Sequence, residues 1–510
     1  MNIKRAKQEI ERAVLAYLAK DEFGEYCIPT VNQRPILLIG PPGIGKTAIM
    51  EQITSKCGIA LVAYTITHHT RQSAVGLPFI EKKQYDGREY AVTEYTMSEI
   101  LASVYDKMEA TGCREGILFI DEINCVSETL APTMLQFLQC KTFGNHKVPK
   151  GWIIVAAGNP PEYNKSVREF DVVTLDRVKK IPVEADFSVW KEYAYRSGIH
   201  GSILSYLEIK KQNFYDIQTT VDGKIFVTAR GWEDLSRILY VYEKNQIPVD
   251  EQLIIQYLQH PKIAKDFANY YDLYQKYQND YQVDEILEGK VKESAVWKLR
   301  QGGFDERISV VGLLLAKLNE AFQEWDSKEL YINDLFEELK HIKAKFERMD
   351  AEQERPEEIL EDCIVRYEEL TRQKMEASMI EKRRYLARIA VAHTLREDQK
   401  EAQKAGAGTS SEVFELMQRQ FFEENEKREA QIEKTSCWLE HAFAFLEEVF
   451  GSSQEMVIFV TELSMNYFAV QFISENGCDP YHRYNKSLLF SERQSDLLKE
   501  IEQIREQIKG

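Results

Sequence analysis

The sequence predicts an α/β domain built on a parallel sheet, followed by a small helical domain and an all-helical C-terminal region. Between residues 36 and 183, short apolar runs alternate with helical stretches, which is the pattern of parallel strands connected by helices. From residue 187 onward the apolar residues recur at helical spacing and strand signals become few. We therefore expect three domains, at residues 1–185, 186–290 and 291–510.

Each predicted strand is a run of mostly apolar residues that is too short for a buried helix. The predicted strands are, in chain order, 36–39, 61–66, 117–120, 153–157 and 179–183. An additional β-hairpin is expected where residues 76–80 and 90–95 flank the turn Tyr85-Asp86-Gly87-Arg88. Beyond residue 291 the predicted helices are 306–325, 329–349, 355–404, 411–450, 453–475 and 484–509.

Composition limits the classes of partner and compartment. The 510 residues carry a net charge of −17, of which −4 falls in residues 1–290 and −13 in the remainder. An acidic chain lacks the electrostatic footprint of a duplex-binding protein, so nucleic acid is an unlikely partner. The sequence contains no apolar run of 18 residues, and residues 1–20 form an amphipathic helix pattern. We expect a soluble, cytoplasmic protein that does not insert into a membrane.

The most specific motif is a glycine-rich loop that directly follows the apolar run 36–39 and precedes a predicted helix. Its glycines let backbone N–H groups surround a phosphate, and the helix N-terminus adds its positive dipole end. Lys46 neutralises terminal phosphates in this motif, and the Thr47 hydroxyl is a ligand for Mg²⁺. A fortuitous glycine turn is the alternative, but the strand and the helix on either side favour a nucleoside triphosphate site. The expected contacts are Gly40, Pro41, Pro42, Gly43, Ile44, Gly45, Lys46, Thr47 and Ala48.

Polar residues follow two further predicted strands. Asp121 and Glu122 end the apolar run 117–120, and Asn159 follows the run 153–157. Asp121 is expected to hold Mg²⁺ beside Thr47, and Glu122 to align and deprotonate the attacking water. The Asn159 amide can hydrogen-bond to the terminal phosphate and to that water. The alternative is that the acids and the asparagine are ordinary turn residues, and the order of the three motifs favours the functional interpretation.

This ordered set of motifs resembles the AAA+ ATPases, and within them the MoxR branch, which is related to the magnesium chelatase and dynein-like modules. The resemblance covers about residues 1–290, whereas residues 291–510 match no family that we can name. The matching segments are the Walker A loop Gly40 to Thr47, the Walker B form Asp121-Glu122-Ile123-Asn124, sensor 1 at Ala156 to Pro160, Leu175-Asp176-Arg177 and Thr228-Ala229-Arg230-x-Trp232.

The resemblance implies a homo-oligomeric ring, usually hexameric, with ATP bound between neighbouring subunits. Arg177 would then reach the ATP of the next subunit, and Arg230 would contact ATP in its own subunit. The alternatives are that Arg177 pairs with a nearby aspartate and that Arg230 caps a lid helix. Residues 168–178 depart from the pattern of the branch, so Arg168 is a rival for the arginine finger.

The resemblance also gives the predicted hairpin a role, because an insertion near this position lines the central pore in related proteins. Phe79, Tyr85 or Tyr90 would then grip a threaded or docked substrate. The alternative is a structural hairpin.

The predicted function is ATP-driven remodelling of a partner protein by a MoxR-like ring. The resemblance implies a von Willebrand factor A domain protein or another protein client as the partner. One alternative is a nucleic-acid motor or restriction-type translocase, which the acidic composition disfavours. The other is an ATP-gated scaffold with little turnover, against which the intact Glu122 counts.

Overall fold

The computed structural model describes residues 1–68, 71–163, 167, 170–221, 223–348 and 355–488. The chain forms two compact units, and each unit contains two separate segments of the sequence. Unit 1 consists of Met1–Asp186 and His341–Val413, and unit 2 consists of Phe187–Lys340 and Phe414–Gly510. These two units differ from the three predicted domains at residues 1–185, 186–290 and 291–510, and the domain boundaries stay a prediction.

The described elements of the first 186 residues include every strand of the main sheet. They are, in chain order, α1 (Ile3–Leu18), β1 (Ile36–Ile39), α2 (Ala48–Cys57), β2 (Ala60–Thr65), α3 (Arg71–Val75), β3 (Pro78–Tyr85), β4 (Arg88–Tyr95), α4 (Glu99–Thr111), β5 (Gly116–Asp121), α5 (Ala131–Cys140), β6 (Thr142–Phe143), β7 (His146–Lys147), β8 (Trp152–Gly158), α6 (Val172–Arg177) and β9 (Lys179–Pro182).

The rest of the described chain is almost entirely helical. Its elements are α7 (Phe187–Arg196), α8 (Gly201–Ile209), β10 (Asp216–Thr220), β11 (Gly223–Val227), α9 (Ala229–Lys244), α10 (Glu251–Leu258), α11 (Pro261–Tyr281), α12 (Val283–Leu287), α13 (Glu293–Gln301), α14 (Phe304–Phe346), α15 (Pro356–Glu376), α16 (Lys382–Ala405), α17 (Ser410–Phe450), α18 (Gln454–Met465) and α19 (Tyr467–Asn476).

Unit 1 is organised around a five-stranded sheet in the order β2-β5-β8-β1-β9, in which all strands are parallel. The predicted α/β fold class with a parallel sheet and a helical remainder is therefore confirmed. Ile117 and Phe119 of β5 face a cluster formed with α1 and α2, whereas Leu118 and Ile120 face a cluster formed with α4 and α5. Because both faces are covered, the central strands β5, β8 and β1 are apolar along nearly their whole length, which explains why the sequence identifies them.

Two small hairpins extend from this sheet domain, and they contact each other. Strands β3 and β4 pair antiparallel from Pro78 opposite Tyr95 to Tyr85 opposite Arg88, so the predicted hairpin is confirmed. The hairpin of β6 and β7 braces it, because Asn145 Nδ2 donates to the Glu94 carboxylate and His146 Nε2 lies 2.9 Å from the Tyr95 carbonyl oxygen.

Helices α15 and α16 form an antiparallel pair that packs within unit 1. The sequence predicted long helical hairpins in the C-terminal region, but it gave residues 355–404 as one helical stretch and did not predict the turn between these two helices. Their connecting turn lies against the sheet domain. Leu61 N, at the start of the edge strand β2, donates to the Ala377 carbonyl at 3.3 Å. Thr54 Oγ1 of α2 donates to the Ser378 carbonyl at 3.3 Å, and Lys107 Nζ of α4 donates to the Glu376 carbonyl at 2.6 Å. Ser378 has a φ of +58°, and this left-handed residue ends the helical path.

Unit 2 contains one large core that joins residues from the predicted lid with residues from the C-terminal helices. Tyr274 and Leu287 pack in the same cluster as Phe322, Phe443 and Phe472. The C-terminal end of the predicted lid therefore shares a buried core with the helices that follow it. The unit also contains the two-stranded hairpin β10–β11, which the sequence analysis did not predict.

A buried ionic cluster links three helices of unit 2. Lys191 Nζ of α7 donates to both the Glu208 carboxylate of α8 and the Glu462 carboxylate of α18. The Tyr195 hydroxyl donates to the second Glu462 oxygen at 2.5 Å. The side chains of Lys191 and Glu462 are only 4% and 6% exposed, so these charges interact in a largely water-free environment.

No single helix within the described ranges has both the length and the apolar character needed to cross a membrane. Helices α18 and α19 satisfy those criteria only as a pair, and the pair bends by 89° at its break.

Candidate nucleotide site

The predicted phosphate loop connects β1 to α2 at the carboxyl edge of the sheet. Gly43 and Gly45 have φ values of +74° and +88°, which residues with a side chain rarely adopt. Gly40 lies so close to the residue that follows β9 that a Cβ atom at Gly40 would approach the Val183 carbonyl oxygen to 2.6 Å. These glycines are therefore needed for the loop conformation, which presents the N-terminus of α2 to a bound anion.

Lys46 is held in the loop by three hydrogen bonds. Its Nζ atom donates to the Gly40 carbonyl at 2.8 Å, to the Pro41 carbonyl at 2.9 Å and to Asn159 Oδ1 at 2.8 Å. Strands β1 and β8 are neighbours in the sheet, so their ends bring Lys46 and Asn159 together. The residue predicted to neutralise terminal phosphates thus contacts the residue predicted to hydrogen-bond to them.

Thr47 and Asp121 form the second contact between predicted site residues. Thr47 Oγ1 donates to Asp121 Oδ2 at 3.0 Å, although 74 residues separate them in sequence. A hydroxyl and a carboxylate are hard oxygen ligands of the kind that Mg²⁺ prefers, and Thr47 is exposed to solvent. The donor set therefore fits a magnesium ion that also contacts phosphate.

Glu122 follows β5 in a conformation that is unusual for a residue with a side chain. Its φ is +57°, and its backbone N–H donates to Asp121 Oδ1 at 2.9 Å. A left-handed backbone at a residue with a side chain destabilises the fold by on the order of 1 kcal/mol or more, and it persists only where the surrounding structure holds it in place.

Asn124 is a residue of this site to which the sequence analysis gave no role. Its Nδ2 donates to the Asn159 carbonyl at 2.8 Å, and its Oδ1 accepts from the Asn159 N–H at 3.3 Å. The signal was present in the segment Asp121-Glu122-Ile123-Asn124, but the partner of Asn124 is a backbone, which a sequence does not reveal.

Arg177 ends α6 and is exposed, and it donates to the side-chain oxygen of Gln139. Asp171 caps the start of the same helix, where its Oδ1 accepts from Thr174 N at 2.7 Å. Hydrogen bonds from Thr174 and the charge of Arg177 lower the pKa of Asp171. The rival residue, Arg168, lies outside the described residues.

Arg230 belongs to unit 2, where it is the second residue of α9 and is exposed. The cap of this helix is Thr228, whose Oγ1 accepts from Gly231 N at 3.3 Å. Thr228 and not Arg230 is therefore the N-cap of α9. The contact of Arg230 with ATP and the alternative that it caps a lid helix both stay predictions.

Replacing Lys46 is expected to weaken nucleotide binding. Lys46→Ala removes a charge-assisted contact to phosphate, which corresponds to a loss of about ten- to a hundredfold in affinity. Titration calorimetry with ATP and Mg²⁺ measures the loss. Lys56→Ala is the matched control, because Lys56 lies at the other end of α2, is exposed and pairs with Glu11. Equal affinity of the Lys46→Ala variant and the wild-type protein would remove Lys46 from the binding site.

Comparison with protein families gives an independent result for this part of the chain. Residues 36–175 match the model of the ATPase family associated with various cellular activities (AAA), which is about a quarter of the sequence. The match includes the phosphate loop, Asp121, Glu122 and Asn159. A search of curated proteins gave no significant match. The sheet domain is thus a P-loop AAA domain, which in general binds and hydrolyses ATP, typically with Mg²⁺.

Proposed function

We propose that the AAA domain at residues 36–175 hydrolyses ATP at the subunit interfaces of a hexameric, MoxR-like ring, and that the ring uses this energy to remodel a partner protein. The observation that carries the proposal is the pair of contacts between the three motifs. Lys46 meets Asn159 at 2.8 Å, and Thr47 meets Asp121 at 3.0 Å, at one edge of the sheet.

Each of these residues has a separate role in ATP hydrolysis. The loop N–H groups and Lys46 bind and neutralise the phosphates, and Asn159 positions the terminal phosphate and the attacking water. Thr47 and Asp121 would hold Mg²⁺, which neutralises charge that develops between the outer phosphates. Glu122, placed beyond Asp121 by its left-handed backbone, accepts the proton of the water.

Arg177 supports the inter-subunit part of the proposal. It is exposed at the end of α6, and its hydrogen-bond partner there, Gln139, is uncharged. A hydrogen bond to a neutral amide competes less strongly than a salt bridge would with the phosphates of a neighbouring subunit. An arginine in that role stabilises charge in the transition state and accelerates hydrolysis by roughly 10³- to 10⁵-fold.

A mixing experiment tests the shared site. Arg177→Ala and Asp121→Ala rings should each be nearly inactive, because one lacks the arginine finger and the other lacks the metal ligand. When the two are mixed in equal amounts, about a quarter of the interfaces combine an intact Asp121 with an intact Arg177. We therefore expect phosphate release to return to about a quarter of the wild-type rate at saturating ATP.

The outcome of mixing also identifies the finger. No recovery with Arg177→Ala, combined with recovery when Arg168→Ala replaces it, would assign the role to Arg168. No recovery with either arginine variant would contradict the shared site. The experiment requires that the two variants form mixed rings. This is checked with wild-type subunits that carry two different affinity tags, because purification on one tag recovers the other only when the subunits have mixed.

The β3–β4 hairpin supports a protein client. Phe79, Tyr85 and Tyr90 are 45%, 53% and 48% exposed, and the rings of Tyr85 and Tyr90 lie 6.0 Å apart between centroids. Exposed aromatic rings on a short hairpin suit contact with an extended polypeptide. A von Willebrand factor A domain protein is the partner class that the resemblance favours.

The client is tested with the Glu122→Gln protein, which is expected to retain ATP. Proteins and nucleic acids that copurify in the presence of ATP are identified, and the Lys46→Ala protein is the control because it binds ATP weakly. A von Willebrand factor A domain protein that requires ATP supports the proposal. DNA that requires ATP would favour the nucleic-acid motor instead.

A further inference from the structure

We propose that Asn124 is a positioning residue for ATP hydrolysis, because its side-chain amide fixes the backbone of Asn159. This inference rests on the proposed function. Asn124 donates to the Asn159 carbonyl at 2.8 Å and accepts from the Asn159 N–H at 3.3 Å. A primary amide offers one donor and one acceptor side by side, so Asn124 pairs with Asn159 as one peptide group pairs with another in a sheet.

The surroundings of Asn124 are built for this pairing. Its side chain is buried at 5% exposure, where an amide without partners would be costly. The preceding residue, Ile123, donates its N–H to the Ala157 carbonyl at 2.9 Å. Three hydrogen bonds therefore join residues 123–124 to the end of β8, and they extend the sheet pairing beyond the last paired residues of β5.

Gly158 supplies the space that the amide occupies. A Cβ atom at Gly158 would lie 2.5 Å from Asn124 Oδ1, 2.8 Å from its Cγ and 3.1 Å from its Nδ2. The three atoms nearest to that position all belong to Asn124. Any side chain at Gly158 must therefore displace the Asn124 amide from the Asn159 backbone.

The pairing determines where the functional groups lie relative to each other. Residues 121–124 carry Asp121 and Glu122, and Asn159 directs its Oδ1 to Lys46 Nζ at 2.8 Å. Asn124 thus joins the turn that holds the catalytic acids to the residue that contacts the phosphate-binding lysine. A misplacement of about 1 Å in such a site reduces the rate by about a hundredfold, even when binding changes little.

Substitution of Asn124 should separate turnover from binding. We expect Asn124→Ala to lower kcat by about ten- to a hundredfold, while ATP affinity changes by less than about threefold, since Lys46 and the loop remain. Asn319→Ala is the matched control, because Asn319 is also buried and donates its amide to a backbone carbonyl, that of Tyr195, at 3.3 Å. The control accounts for the loss of a buried amide away from the site, and its kcat should equal that of the wild-type protein.

A double-substitution cycle distinguishes the pairing from two independent effects. Gly158→Ala alone should also lower kcat by about tenfold or more, because it displaces the Asn124 amide. In the Asn124→Ala background the space is open, so adding Gly158→Ala should change kcat by less than about twofold. Multiplicative losses in the double variant would overturn the proposal.

Hydrogen exchange gives a readout that does not depend on activity. The Asn159 N–H should exchange about tenfold faster in Asn124→Ala than in the wild-type protein. Asn124→Asp keeps the acceptor and should keep slow exchange at this amide, although it loses the donor to the Asn159 carbonyl. Unchanged exchange in Asn124→Ala, or an unchanged kcat when the wild-type protein is active, would overturn the role of Asn124 alone. A wild-type protein without ATP turnover would overturn the proposed function, and this role with it.

Discussion

Glu122→Gln is expected to bind ATP as tightly as the wild-type protein and to hydrolyse it at least about a hundredfold more slowly. The substitution preserves the size of the side chain but removes its ability to accept a proton. Binding should persist, because the loop glycines, Lys46 and Thr47 are unchanged. Phosphate release at saturating ATP measures turnover, and equilibrium titration with Mg²⁺ and ATP measures affinity.

The matched control for this experiment is Glu128→Gln, which makes the same change at an exposed carboxylate six residues further along the chain. Its turnover should equal that of the wild-type protein. If Glu122→Gln hydrolyses ATP at the wild-type rate, Glu122 is not the catalytic base. If its affinity falls in proportion to its rate, the residue serves binding and not the proton transfer.

Lys191→Met is expected to lower the free energy of unfolding by about 3–5 kcal/mol at pH 8, because it leaves the buried Glu462 carboxylate without its cation. Lys191 is the shared partner of Glu208 and Glu462. Burial pushes the pKa of both acids upward, and Lys191 opposes this effect. The pKa of Glu208 lies below its usual value, where Lys191 and Lys211 outweigh burial, whereas that of Glu462 remains raised. Urea unfolding followed by tryptophan fluorescence measures the loss.

The loss should depend on pH in a defined direction. Without Lys191 the pKa of Glu462 in the folded protein rises further. The folded state then binds a proton at Glu462 more tightly than the unfolded state does. The variant therefore gains stability as the pH falls toward the pKa of the unfolded chain, and the defect should be smaller at pH 5 than at pH 8. Adding Glu462→Gln to Lys191→Met should restore part of the stability at pH 8.

Lys211→Met is the control for the loss of a positive charge. Lys211 also pairs with Glu208, but its side chain is 60% exposed, so the change should cost about 1 kcal/mol or less. An equal loss in the two variants would show that burial of the Lys191 pairs contributes nothing particular to unit 2.

The sequence predicted the sheet domain well for a physical reason. Parallel strands buried on both faces must be apolar along most of their length, so the central strands β5, β8 and β1 leave continuous apolar runs. The carboxyl ends of such strands meet at one edge, and polar residues that end the runs were therefore expected to meet. Lys46 with Asn159, and Thr47 with Asp121, are the contacts found there.

Other features leave no comparable signal. The turn between α15 and α16 contains neither glycine nor proline, and it binds the sheet domain through the carbonyls of residues 376–379. Every residue has a carbonyl, so no side-chain pattern reports that contact. The predicted break between residues 325 and 329 was wrong. The polar residues Asp326, Ser327 and Lys328 resemble a turn in the sequence, but they lie within the continuous helix α14.

Helix α2 has a second attachment besides the phosphate loop. Ten residues of helix form a strut about 15 Å long. One end carries Thr47, and near the other end Thr54 and Ser55 donate to the carbonyls of Ser378 and Met379, 324 positions later in the chain. The helix that carries the phosphate loop is thus attached at its far end to a turn from the last third of the sequence. A chain shortened to residue 290 would retain every nucleotide-binding motif but would lose the contacts of α2 with Ser378 and Met379. Its ATP affinity would therefore differ from that of the intact protein.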